Sequence, residues 1–498
     1  MNVNPITRLD YPDPDVIRVE DTYYMVSTTM HFMPGCEILQ SFDLVHWEHA
    51  TYVYETLDHT DAQQLKSGQN IYGQGMWAAS LRYHEGRFYI CFVANDTRKT
   101  YLYTSEKIDG PWKKQLIEGF YHDGSLLFDE DGRNYIVYGN DEIWITELNE
   151  DLTAPKKDGL HRLLVSDHKN PELGYEGSHI QKINGYYYIF LIHSLRDRWM
   201  RTEACFYSDS LEGEFTGGDV LCDDRGYCGQ GVAQGGIVDT PDGKWYAMLF
   251  QDSGAVGRIP ILVPVTWKDY FPFFGQNGHV PEEIEVHSTR PGYIYQPLVG
   301  SDDFCNGLLP RWQFNHDPDP RYYHLDALQG TYTITTREVC TELTQAVNTL
   351  TQRMSYPSCA AEVTVDASAL KEGDVAGLCA LQSCYAAVGI TKHHGKYEVL
   401  MLDKKEDGIL DMTEGTVVES HQMDFRLEAD FCNMKDEARC YYRVNKGDWL
   451  PIGTVHKLYF KLDHFTGCRF GLFCYAAEET GGSACFRDFK YYDVDEIS

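Results

Sequence analysis

The chain has 498 residues, a formal net charge of −32, 43% hydrophobic and 13% aromatic residues. That length exceeds one ordinary domain and suggests two, each with a sizeable core. So acidic a surface excludes nucleic acid and anionic membranes as partners, because phosphate binding takes clustered Lys and Arg, and it argues against an anionic polymer as ligand.

The N-terminus shows no charged region followed by an apolar segment. No stretch approaches the roughly 18 apolar residues needed to span a bilayer. The expectation is a cytoplasmic protein. The fifteen Cys are an odd number. They are scattered through strand-like runs, as at Cys91, Cys359 and Cys474. The close pairs Cys222/Cys228 and Cys379/Cys384 lack Cys-x-x-Cys spacing, so buried thiols are expected rather than a zinc site or a disulfide framework.

From residue 13 onward one phrase recurs five times. Its copies are Asp13-Pro14-Asp15-Val16-Ile17-Arg18, Trp77-Ala78-Ala79-Ser80-Leu81-Arg82, Asp123-Gly124-Ser125-Leu126-Leu127-Phe128, Glu176-Gly177-Ser178-His179-Ile180-Gln181 and Gln234-Gly235-Gly236-Ile237-Val238-Asp239. Each runs into a turn and then an aromatic strand. The second aromatic follows the leading residue by 12 positions in four copies (77 to 89, 123 to 135, 176 to 188, 234 to 246) and by 11 in the first (13 to 24). Glu85-Gly86, Asp131-Gly132, Asn184-Gly185 and Asp242-Gly243 carry the chemistry of tight hairpin turns, and the Tyr, Ile, Val and Phe flanks are strand formers.

The copies start 64, 46, 53 and 58 residues apart. Repeats of about 40–50 residues with several strands each predict propeller blades. The long first interval contains Gln63–Gln74, which reads as a surface loop. The predicted architecture is all-β: a five-bladed β-propeller over residues 1–298, then a β-sandwich over 299–498. A polar, Pro-containing connector from Val280 to about Gly300 separates them. Beyond it, short alternating runs such as Ala360–Val365, Tyr385–Thr391 and Phe470–Ala476 read as antiparallel strands of a concanavalin-like accessory domain.

Equivalent positions in a repeat become equivalent positions in space, so the five leading residues are predicted to ring one mouth of the channel. Three of them, Asp13, Asp123 and Glu176, are carboxyls. No P-loop, Rossmann glycine pattern, His-Glu-x-x-His or Gly-x-Ser-x-Gly competes with them. A pair of carboxyls, one protonated and one ionised, is the equipment that cleaves a glycosidic bond. A third can hold the acid's proton in place through like-charge repulsion.

These motifs resemble glycoside hydrolase family 43, five-bladed propeller enzymes that include β-xylosidases and α-L-arabinofuranosidases. The resemblance covers nearly the whole chain. Tyr11-Pro12-Asp13-Pro14-Asp15 followed by Tyr23-Tyr24 is similar to the family's opening and implies Asp13 as general base. The Asp123 segment resembles that of the acid's modulator, and Glu176-Gly177-Ser178-His179 resembles that of the general acid. Phe32 resembles an apolar wall of the sugar pocket, Trp77 a second pocket residue, Arg258 the arginine that reaches a sugar hydroxyl, and Phe470 the sandwich residue that closes one side.

Gln234, grouped with these substrate-binding positions, stands where many relatives carry a histidine that helps bind an axial metal ion or water. No cofactor is required by this reading. The Gln carbonyl leaves a Ca²⁺ on the channel axis as an open alternative, and no metal ligand is assigned. The implied activity is exo-acting, inverting removal of terminal β-D-xylosyl or α-L-arabinofuranosyl units from oligosaccharides, by a protein for which a homodimer or homotetramer is compatible. Two other readings stand beside it. One is a non-catalytic sugar-binding propeller. The other is a retaining invertase-type fructosidase, whose Asn-Asp-Pro-Asn-Gly, Arg-Asp-Pro and Glu-Cys patterns the chain lacks.

Overall fold

A computed structural model of the protein describes residues 2–493. Five four-stranded antiparallel sheets follow one another in chain order. Their first strands are Asp15–Val19, Met76–His84, Ser125–Phe128, Glu176–Ile183 and Ile237–Asp239. Within every sheet the strands pair in chain order. These are the five blades of a propeller.

One apolar cluster sits at each junction between blades. Leu81, Ile90 and Phe92 of blade 2 meet Val26 and Ile38 of blade 1. Leu126 and Ile136 of blade 3 meet Cys91 and Leu102 of blade 2. The ring closes where Val238, Tyr246, Met248 and Leu262 of blade 5 pack on Val16, Tyr23 and Met25 of blade 1. Each blade is thus a two-faced sheet whose apolar faces are buried only by its neighbours. The N-terminal Asn2–Val3 also pairs with Glu283–Ile284, after blade 5.

The remainder is a two-sheet sandwich around a large core that includes Trp312, Leu378, Phe425, Phe470 and Phe486. A seven-stranded sheet runs from Tyr323–Asp326 to Leu450–Lys457, and a nine-stranded sheet faces it. The edge strand of the nine-stranded sheet is Phe32–Met33, contributed by the propeller, which pairs with Phe314 and Asn315. The two domains therefore share a sheet. Arg353 of the sandwich adds a buried ion pair to Glu37 of blade 1 at 2.8 Å. Nine of the fifteen thiols are buried, among them Cys91, Cys359 and Cys474. Among the described residues no helix is long and apolar enough to cross a membrane.

Candidate active site

Two backbone devices turn the repeat's leading residue into the channel. Asp13, Asp123 and Gln234 adopt left-handed φ of 52°, 48° and 58° just before their strands begin. This conformation costs a non-glycine residue about 1 kcal/mol or more and collects at functional sites. Trp77 and Glu176 instead lie inside their strands at bulges, where the register shifts between Met76 and Ala79 and between Glu176 and His179. Bulges re-aim side chains. At the second of these, Gly177 has φ 66°. A Cβ there would come within 2.7 Å of the Gln234 side chain, so only glycine lets blades 4 and 5 approach this closely.

All five leading residues line one cavity of about 250 Å³. Asp13 is buried and held on both oxygens. Arg258 Nη1 donates to Oδ1 at 2.5 Å, and Thr28 Oγ1 donates to Oδ2 at 2.7 Å. Arg258 is itself tied through Nε to Asp252 Oδ1 at 3.2 Å. Asp252 Oδ2 lies 3.3 Å from Arg201. The order Asp13–Arg258–Asp252–Arg201 alternates in sign, so each buried charge has a counter-charge.

On the other side of the cavity, Gly177 N–H donates to Asp123 Oδ2 at 2.9 Å and Asn140 Nδ2 to Glu176 Oε2 at 2.7 Å. His122 Nε2 sits 3.5 Å from each of these two carboxylate oxygens. Burial pushes the Asp123 carboxyl up to about 6, with Glu176 and Asp13 adding to the rise and His122 opposing it. Burial pushes Glu176 up as well. The His122 imidazolium, Arg201 and Arg258 outweigh that and hold it below the ordinary carboxylate range. Burial disfavours charge on His122, but the surrounding Asp123, Glu176 and Asp13 carry it up to about 9. The charges of Asp123 and Glu176 thus favour a proton on the imidazole beside them.

The remaining walls are apolar. Phe465 packs edge-on to Trp77 with ring centroids 5.5 Å apart, and the Arg258 guanidinium lies 4.1 Å over its ring. Leu173 and Leu462 complete the lining. Deeper on the axis, Arg82 closes the channel. It donates to Asp15 Oδ2 at 2.7 Å, Ser125 Oγ at 2.7 Å, Leu126 O at 2.9 Å and Ile180 O at 3.1 Å, binding four blades together.

Two expected pocket residues lie elsewhere. Phe32 is the interdomain edge strand, buried beneath Arg469, whose guanidinium is 3.4 Å from its ring. It packs the domain junction and is not part of the cavity wall. Phe470 points into the sandwich core and is fully buried there. The sandwich residue at the cavity is Phe465, five positions earlier, on the loop that enters strand Arg469–Tyr475. Strand alternation and core packing claim Phe470, and only the loop is free to reach across. His122, Asn140, Leu173, Leu462 and Phe465 carried no signal in the repeat, although His122 immediately precedes a leading residue.

The sequence matches the family model "Glycosyl hydrolases family 43" over residues 3–272 and "Beta xylosidase C-terminal Concanavalin A-like domain" over residues 301–492. It is 26% identical to a beta-xylosidase of Formosa agariphila, over 99% of this chain and 89% of that protein. It is 24% identical to a non-reducing end alpha-L-arabinofuranosidase of Bacteroides ovatus, over 82% of this chain and 79% of that one. A solved structure described as a bifunctional GH43-CE protein of Bacteroides eggerthii superposes with a TM-score of 0.92 at 42% identity. The match covers 100% of this chain and 64% of that one, so the chain spans a little under two thirds of that structure's length. The chain belongs to glycosyl hydrolase family 43 and is a glycosidase.

Proposed function

We propose that this glycosidase removes single terminal pentosyl units, β-D-xylosyl or α-L-arabinofuranosyl, from xylo- or arabinoxylo-oligosaccharides with inversion at the anomeric carbon. The observation that carries the reading is the convergence of Asp13, Asp123 and Glu176, from three different blades, on one cavity of about 250 Å³. The names of the Formosa and Bacteroides ovatus relatives support both pentosides. Exo action is supported by the seal that Arg82 makes across the axis beneath the site and by the sandwich loop bearing Phe465 at its side. A neutral sugar suits a site whose charges are already paired with one another.

In this reading Asp13 is the general base. Its ion pair with Arg258 fixes its orientation, so its carboxylate can take a proton from the water that attacks the anomeric carbon. Glu176 delivers a proton to the departing glycosidic oxygen. The proton it needs is stored 3.5 Å away on His122, and the charge on Asp123 raises the proton affinity of Glu176 when the substrate approaches. Arg258 and Gln234 offer donors to the sugar hydroxyls, while Trp77 and Phe465 supply its apolar faces.

This reading calls on no resident calcium, and the carboxylates beside Arg82 and the Gln234 backbone are already engaged. Ca²⁺ takes six to eight oxygen ligands. Asp15, the carboxylate that Arg82 holds, already gives Oδ1 to His179 at 3.0 Å and Oδ2 to Arg82 and the Leu81 N–H. Glu203 accepts the Gln234 backbone N–H at 2.7 Å, and burial pushes its carboxyl well above the usual range.

The test is a screen with nitrophenyl β-D-xyloside and α-L-arabinofuranoside, followed by proton NMR of the first-formed anomer. Turnover of at least one substrate with an inverted anomer is the expected result. A retained anomer, or hydrolysis of neither pentoside, would defeat the reading.

A further inference from the structure

We infer that His122, Asp123 and Glu176 form a three-ligand site for a divalent transition metal of the Zn²⁺ type, and that occupancy by the metal switches the enzyme off. The ligand atoms of the three residues all lie within 4.8 Å of one another. His122 Nε2 is 3.5 Å from Asp123 Oδ2 and 3.5 Å from Glu176 Oε2. Metal–ligand bonds of about 2.0–2.2 Å place the corners of a tetrahedral zinc site roughly 3.3–3.6 Å apart. The two His122 edges are of that size, and the third, between the carboxylate oxygens, is no more than 4.8 Å, so a small side-chain movement would let the trio close on an ion.

Three further features favour an ion there. His122 Nε2 is buried and makes no hydrogen bond, so a metal entering between it and the two carboxylates would displace only the proton on that nitrogen. Each of the two ligand oxygens is also held by one donor on another residue, the Gly177 N–H on Asp123 Oδ2 and the Asn140 amide on Glu176 Oε2. Such outer contacts fix ligand geometry in metal sites. The fourth corner faces the cavity, where a water would complete the coordination. The neighbouring cations Arg258 and Arg201 are paired with Asp13 and Asp252. One imidazole and two carboxylates suit Zn²⁺ or Co²⁺ better than Mg²⁺ or Ca²⁺, which prefer all-oxygen shells of six or more.

Bound metal would hold Glu176 as an ionised ligand that cannot give a proton, so the loaded enzyme would be inactive and a chelator would restore it. The inhibition rests on the role proposed for Glu176. The binding does not, and it is measured without any substrate. The full chain, stripped with chelator and with exposed thiols alkylated, is titrated with ZnCl₂ by calorimetry and with CoCl₂ by visible absorption. One ion per chain and the d–d bands of four-coordinate Co²⁺ with nitrogen and oxygen ligands are expected. H122A and H122Q, each checked by thermal melting, should weaken Zn²⁺ binding by about 10-fold or more. Unchanged affinity in these variants would overturn the site. So would a wild-type Co²⁺ spectrum lacking four-coordinate bands, a reading that needs no variant. Tight binding without inhibition would keep the metal site and sink the Glu176 assignment instead.

Discussion

The propeller and the sandwich reach the same cavity by different routes. The propeller supplies the three carboxyls from equivalent slots of a repeated strand, each turned inward by a left-handed residue or a bulge. The sandwich supplies Phe465 and Leu462 from a loop between strands, with no internal symmetry to announce it. Its own strands are committed to an apolar core. Chemistry is thus carried by a rigid, symmetric frame, and the enclosure of the sugar by a segment whose placement depends on domain docking. Docking is fixed in turn by the shared edge strand Phe32–Met33 and by the Arg353–Glu37 pair.

The most severe way to break this comparison is to remove the propeller's acid or base. Asp13→Ala and Glu176→Ala should each lower kcat by about 10²–10⁴-fold with unchanged far-UV circular dichroism. Near-normal turnover by either would show that the frame does not carry the chemistry.

The frame itself can be broken at its axis. Burial would push Asp15 up, but Arg82 and His179 outweigh it and hold the carboxyl down at about 2. A depressed carboxylate stabilises the fold above its ordinary pKa of 3.8 and loses that contribution as pH falls through about 2. Asp15→Asn leaves the Arg82 guanidinium buried without its counter-charge and should cost about 3–5 kcal/mol in urea unfolding at pH 7. The cost should shrink toward pH 2.

A sharper contrast lies within the sandwich. Phe465→Ala should raise KM by roughly 10-fold with little change in thermal stability, since an apolar contact of this size contributes about 1–3 kcal/mol to binding. Phe470→Ala should do the reverse, costing about 3–5 kcal/mol of stability through a core cavity while leaving the KM of the folded fraction near wild type. If Phe470→Ala alone raised KM, the assignment of the two phenylalanines would be inverted.

The smallest effect is in the pH profile. Asp123 ionises near pH 6, and its charge favours a proton on Glu176, so activity should rise across about pH 5–7. His122 loses its charge near pH 9, so activity should fall beyond that. Asp123→Asn should remove the acidic limb and His122→Gln the alkaline one. A profile unchanged in both variants would refute the idea of a shared proton.

Much of the site was legible because a repeat converts spacing along the chain into position around an axis. Asp13, Trp77, Asp123, Glu176 and Gln234 stand at matching points in the phrase, and that register alone brings them to one ring. Arg258 was found by resemblance, and its pairing with Asp13 required coordinates. His122, beside Asp123, carried no weight as a single histidine until its nitrogen was seen between two carboxylates. Phe32 and Phe470 show the converse error. An aromatic residue near a motif reads the same whether it faces a sugar or a core, because burial on either side satisfies it equally.

The sequence by itself determined the all-β class, the five blades, the transition to a second strand-rich domain and the three carboxyls at one level of the channel. Turn residues and strand alternation are local, and a repeat multiplies their signal. Only the tertiary structure decided which sandwich residue touches the cavity, where His122 and Asn140 point, and how Arg82 seals the axis. Each of those depends on contacts between residues far apart in the chain, whose energies are settled by packing and by the pairing of buried charge.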